Sequence, residues 1–133
     1  MLAVVRGLLL GRAPRARPEL IINGDFASAV GWTAGGGWSI GSGVATAVSS
    51  GSLTRSISVT PGKAYEVLYN ITAWSAGLVT PNLSGGTTAS GSAASGVGAK
   101  RTIIVANSGN VTFGYTASGS PNLSIDDVSV REL

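Results

Sequence analysis

The chain has no cysteine and no histidine, and only nine basic and six acidic side chains among its 133 residues. Those absences remove the usual zinc ligands, thiol nucleophiles, disulfide scaffolds and Ser-His-Asp triads. Six acids without a histidine leave no constellation for general acid–base chemistry, so the expectation is a protein that is not an enzyme. The glycines follow no three-residue period, which excludes collagen. No apolar run approaches the roughly twenty residues of a membrane-spanning helix, so no membrane span is expected. A 3.6-residue apolar period is absent as well, and with it any helix prediction.

Glycine, serine and threonine together fill 49 positions, while hydrophobic residues make up 44%. The second figure argues against simple disorder, because several runs rich in Val, Ile, Leu and aromatics can build a core. The length suits one domain. Small, turn-forming residues between short apolar runs point to an all-β domain.

Charge is unevenly placed. Arg6, Arg12, Arg15 and Arg17 fall in the first eighteen residues with no acid among them, whereas the remainder carries five basic and six acidic groups. The net charge of +3 therefore belongs to an N-terminal arm, residues 1–18, and not to a domain spanning 19–133. Within 19–133 no clustered Lys/Arg with interleaved aromatics occurs, so nucleic acid is not an expected partner of the domain. The arm is a poor secretory signal, because Arg6 interrupts its apolar run and the other arginines follow that run. Leaving Leu2, Val4, Val5, Leu8, Leu9 and Leu10 in water is costly. With the four arginines they make a candidate partner-docking arm.

From Glu19 onward the pattern is strands and turns. Leu20-Ile21-Ile22 reads as a short strand stopped by Asn23-Gly24-Asp25. Trp38-Ser39-Ile40 and Val44 to Val48 form a predicted hairpin through Gly41-Ser42-Gly43. Leu53, Arg55, Ile57 and Val59 alternate with small polar residues up to Pro61-Gly62, and Tyr65, Val67, Tyr69 and Ile71 alternate after it. Leu78 to Leu83 is a further strand, in which Pro81 demands an edge or a bulge. Residues 84–99 read as a loop or a weak strand. Arg101 to Ala106, Val111 to Tyr115 and Leu123 to Val130 complete eight or nine short strands. A two-sheet antiparallel β-sandwich buries one face of each. Apolar residues at 125, 128 and 130 break the period of two and predict a β-bulge at Asp126-Asp127. Phe26 and Trp32 are expected as core plugs between the sheets.

Several motifs occur in a telling order: Glu19 to Phe26 with Gly31-Trp32, Trp38-Ser39-Ile40 with Gly43-Val44-Ala45, Leu53 to Val59, Pro61 to Tyr65, and Ile125 to Val130. The order resembles the galactose-binding-like jelly roll of the family 4/9 carbohydrate-binding modules, copies of which occur in bacteriophage tail and other virion proteins. The resemblance covers residues 19–132. It implies a jelly-roll winding and a binding role, and such a fold hosts many unrelated roles. It also implies a structural calcium near the first and last strands, for which Asp25 and Asp126 are the candidates; the alternative is that both acids cap turns and bulges. Glycan contact calls for aromatic platforms, and the candidates are Trp74, Tyr69 and Tyr115, with Trp38 behind them. Trp74, where a strand gives way to Ser75-Ala76-Gly77, is the one expected at the surface.

Two classes of function follow. The first is a bacteriophage virion subunit, a capsid decoration or tail/fibre-associated protein. It would dock through the arm onto other virion subunits and onto copies of itself, and its domain could also hold a host surface glycan. The second is a carbohydrate-binding module or adhesin, which would be secreted. Four Asn-x-Ser/Thr triplets, at Asn70, Asn82, Asn110 and Asn122, matter only on a eukaryotic secretory route.

Overall fold

The computed structural model describes residues 17–133, so the candidate arm residues Leu2 to Arg15 lie outside the described residues. Every element is a strand: β1 (Thr33–Ala34), β2 (Trp38–Gly41), β3 (Val44–Ala47), β4 (Gly51–Ser56), β5 (Ala64–Ser84), β6 (Ala89–Ser90), β7 (Gly98–Val105) and β8 (Thr112–Glu132). No helix among the described residues is long and apolar enough to cross a membrane.

The architecture rests on β5 and β8, two strands of 21 residues that pair antiparallel along almost their whole length. Residues 64–74 of β5 lie beside 123–132 of β8, with β7 on one flank and β3 then β2 on the other. Residues 78–84 of β5 lie beside 112–118 of β8, flanked by β6 and by β4 then β1. Between the two halves the strands turn a corner. There the register slips between Trp74 and Leu78 on β5, opposite residues 118–123 of β8. Gly77 makes the corner at a φ of 86°, where a Cβ would stand 2.5 Å from Pro121 Cα. Only glycine tolerates both the left-handed backbone and that approach.

The sheet therefore folds over itself into a β-sandwich with one hydrophobic core. Inner residues of the two layers meet directly: the rings of Tyr69 and Tyr115 are 5.0 Å apart, edge to face. Trp38 Nε1 on β2 donates to Gly51 O on β4 at 3.1 Å. Period-two alternation on β5 puts Tyr65, Val67, Tyr69 and Ile71 inside, as their spacing predicts. Phe26 and Trp32 are buried core plugs, with ring centroids 5.0 Å apart.

Local chemistry explains the joints. Ser42 and Gly43, both at positive φ, link the Gly41–Val44 pair as a two-residue hairpin loop of the type whose twist matches the strands. The bulge predicted at the paired aspartates is present. Leu68 faces Ser129 and Asn70 faces Asp126, so Asp127 and Val128 oppose Tyr69 alone, with Asp127 at a φ of 54°. Pro81 lies inside β5, and its carbonyl accepts from Gly91 on the β6 side. Its missing N–H points to that same side, where the neighbouring chain is irregular, so no bond to β8 is lost.

Two expectations need correction. Leu78 to Leu83 is not a separate strand but the second half of β5, because the corner bends the chain without breaking its pairing. Leu20-Ile21-Ile22 is not a strand. It runs beside β8 with only Leu20 N to Val130 O and Val128 N to Gly24 O as main-chain bonds, both 2.9 Å. The Glu19 carboxylate supplies the missing acceptors, taking the Val130 N–H at 2.8 Å, the Ile21 N–H at 3.1 Å and the Ser129 hydroxyl at 2.5 Å.

Candidate functional site

On the inner face of β7, Lys100, Thr102 and Ile104 stand in register with Tyr69, Val67 and Tyr65 of β5. Thr102 and Ile104 are buried, and Lys100 ends the row where the sandwich opens. The small-residue stretch read as a loop or weak strand closes over this end. It contributes β6, the Gly91 N bond to Pro81 O at 2.8 Å, and reciprocal bonds between Val79 and Ala94 at 3.0 and 2.9 Å. Ser92 N also donates to Thr102 Oγ1 at 3.0 Å.

These pieces enclose an open cleft of about 390 Å³. Tyr69, only 3% exposed, is its floor. Ser92, Ser95, Lys100 and Arg101 line its walls together with three alanines. Lys100 Nζ donates to Ser95 O at 2.9 Å and belongs to none of the ion pairs among the described residues. The Arg101 guanidinium turns to the outer face, where its Nε lies 2.5 Å from Glu66.

The hydroxyls of Tyr69 and Tyr115 are buried without a hydrogen-bond partner among the described residues. Burial pushes the Tyr69 phenol up to about 12. Burial, with Tyr69 beside it, pushes Tyr115 well above the usual tyrosine value. Both therefore stay protonated at neutral pH and remain potential donors. An unpartnered buried hydroxyl costs about 1–3 kcal/mol. Tyr115 is wholly enclosed against Tyr69 and Phe113 and reaches no surface.

Trp74 is 41% exposed at the corner of β5, as expected. Its Nε1 donates to Gly77 O at 3.0 Å, which holds the indole along the turn. It does not line the Tyr69 cleft, so the three candidate glycan contacts are not one site. Trp38 is core.

Asp25 and Asp126 do come near each other, because Gly24 bonds Val128 beside the bulge. Each also caps backbone: Asp25 Oδ1 accepts from Ala27 N at 3.2 Å and Asp126 Oδ1 from Asp127 N at 2.7 Å. Partial burial raises the Asp126 pKa, and the charges of Asp127 and Asp25 add to the rise. Among the described residues no group of three or more acids, histidines or cysteines gathers to hold a metal.

The one described arginine of the arm, Arg17, lies on the outer face of β5. It pairs with Glu66 at 2.7 Å and reaches the Glu132 carbonyl at 3.5 Å. Arg101 holds the other Glu66 oxygen, and both arginines pull that carboxyl below its ordinary value. Leu68, Ile103 and Val105 are exposed on the same face. The outer edge of β7 has no strand partner among the described residues.

Sequence reasoning did not pick out Lys100, Ser92 or Ser95. The available signal was that Lys100 is the first charged residue after a long uncharged stretch. No family model matches the chain, and no curated protein is significantly similar to it.

Proposed function

We propose that this protein is a non-enzymatic structural component of a bacteriophage virion, a capsid decoration or tail/fibre-associated subunit, which docks through its N-terminal arm and displays the sandwich. The virion setting and the jelly-roll kinship come from the order of sequence motifs. The observation that carries the docking role is the outer face of β5 and β7. Arg17 is tied there beside exposed Leu68, Ile103 and Val105 and a strand edge that has no partner among the described residues. Apolar surface and a free edge together suit association with other subunits or with copies of this chain.

The test compares the full chain with a form lacking residues 1–18 by size-exclusion chromatography with light scattering. The expected result is an oligomer that becomes monomeric on deletion. Identical masses for two folded proteins overturn the docking role.

A second reading, a carbohydrate-binding module or adhesin, is favoured by the Tyr69 cleft. A glycan array on the full chain addresses it, with Trp74→Ala separating the corner from the cleft.

A further inference from the structure

The direction of each main-chain group of β7 follows from its neighbours. Residues of an antiparallel strand alternate in the side to which they turn their N–H and C=O. Val130 of β8 turns both away from β5, its N–H to the Glu19 carboxylate and its carbonyl to Leu20 N. Its partner Val67 therefore turns both toward β7, where Thr102 stands opposite. Ala99, Arg101, Ile103 and Val105 alternate with Thr102, so their main-chain groups point out of the sheet edge. None of these groups has a partner among the described residues. All four residues also carry exposed side chains on the outer face. β1, β2 and β6 lie at edges too, but they have only two, four and two residues against eight in β7. Proteins commonly blunt so long an edge with a proline, a bulge or an outward charge. β7 contains no proline, pairs with β5 without a register shift, and turns its one outer-face charge, Arg101, onto Glu66.

We infer that this edge takes the apolar run Leu2 to Leu10 of a second copy as an added strand, the two copies exchanging arms reciprocally. The inference rests on the docking reading, to which it adds the partner and the site. Leu2 to Leu10 is nine residues long, a match for the eight of β7. Val5 and Leu9 fall on one face of such a strand, and Val4, Leu8 and Leu10 on the other. Either face thus extends the exposed pair Ile103 and Val105. Residues 1–16 lead into Arg17, which is held on this same face by Glu66, the register partner of Ile103. To enter its own β7 edge, an arm would have to cross β8 and β5, roughly 10 Å, and then turn sharply along β7. Pro14 opposes that turn, because it biases Ala13 to extended backbone. A partner's arm, arriving along β7, needs no such turn. Two arms and two edges then satisfy each other and close a two-fold dimer.

The test uses three full-length proteins: the wild type, an arm variant (Val4→Ser, Val5→Ser, Leu8→Ser, Leu9→Ser) and an edge variant (Ile103→Lys, Val105→Lys). Light scattering gives the mass, and amide hydrogen exchange in NMR reads the edge. The wild type is expected to be a dimer. Its Ala99, Arg101, Ile103 and Val105 amides are expected to exchange roughly a hundredfold more slowly than those of a monomeric arm variant. The edge variant sets two charges on the outer side of β7 and is expected to weaken dimerisation roughly tenfold or more. Should it fail to fold, the exchange comparison between wild type and arm variant decides alone, because the arm substitutions lie outside the domain. A dimer that the arm variant loses, but whose edge amides exchange equally fast in both proteins, overturns the edge as the site and leaves the docking reading standing. A folded edge variant that dimerises as tightly as the wild type does the same. A monomeric wild type with slow edge amides overturns the second copy as occupant, since its own arm then fills the edge. Equal masses and equal exchange in wild type and arm variant overturn the inference and the docking reading together.

Discussion

Around Trp32, Trp38 and Tyr65 each polar aromatic atom has a partner, whereas the hydroxyls of Tyr69 and Tyr115 have none among the described residues. Trp32 Nε1 donates to Asn23 O at 3.0 Å, Trp38 Nε1 to Gly51 O at 3.1 Å, and the Tyr65 hydroxyl accepts from Thr60 N at 2.7 Å. Arg55 closes the first region, 5.2 Å over the Trp32 ring and bonded to the Ile22 carbonyl. The second region borders a cleft rimmed by Lys100, whose ammonium donates to Ser95 O and joins no ion pair among the described residues. One core thus contains a part whose polar aromatic atoms are paired and a part that leaves two buried donors unused among the described residues.

The comparison breaks most sharply at Trp32. Trp32→Ala removes the ring that packs on Phe26 and carries Arg55, and is expected to cost about 3–5 kcal/mol in urea unfolding. A loss below about 1 kcal/mol would mean that this end does not anchor the fold.

Three tyrosine-to-phenylalanine changes sharpen the contrast, because the two regions demand opposite signs. Tyr65→Phe strands the Thr60 N–H and is expected to cost about 1 kcal/mol. Tyr69→Phe and Tyr115→Phe remove hydroxyls that have no partner among the described residues, and each is expected to be neutral or stabilising by up to about 1 kcal/mol. The check is the urea midpoint of all three variants at one pH. A cost at Tyr69 equal to that at Tyr65 would show that its hydroxyl is satisfied after all.

Much of the satisfied region was legible in the sequence. The Ser42-Gly43 turn, the alternation of Tyr65 to Ile71, the core places of Phe26 and Trp32 and the bulge at Asp126-Asp127 follow from local rules of turns and period two. The continuity of β5 and β8 was not legible. Gly77 and Pro121 look like strand breakers, yet across this corner they are what lets the pairing pass from one layer to the other. Leu20 to Ile22 failed as a strand for the converse reason: its residues suit β structure, but the side chain of the adjacent Glu19 takes the acceptor role. The cleft was hidden because residues 84–99 have little side-chain signal. Their placement comes from main-chain bonds to Pro81 and Val79, which no local pattern announces.

The smallest expected effect lies at the aspartates, where the fold again handles one acid differently from another. Glu66, held by Arg17 and Arg101, has its pKa lowered on folding. Its contribution is present above the ordinary glutamate range and is lost as pH falls through the depressed native value. Asp126 has its pKa raised, by partial burial first and then by Asp127 and Asp25. Its contribution is present below the ordinary aspartate range and is lost as pH rises through the raised value. At neutral pH Asp126 thus carries a charge that its neighbours oppose. Asp126→Asn keeps an oxygen for the Asp127 N–H and removes that charge. It is expected to raise the melting temperature slightly at pH 7, by an amount worth no more than about 0.5 kcal/mol, and to leave it nearly unchanged in acid. The decisive comparison repeats both melts with and without millimolar calcium. A wild-type protein that calcium stabilises, beside an asparagine variant that it does not and that melts lower, would assign Asp25 and Asp126 to a bound ion. A variant that melts higher, with no response to calcium in either protein, leaves the two acids as caps of a turn and a bulge.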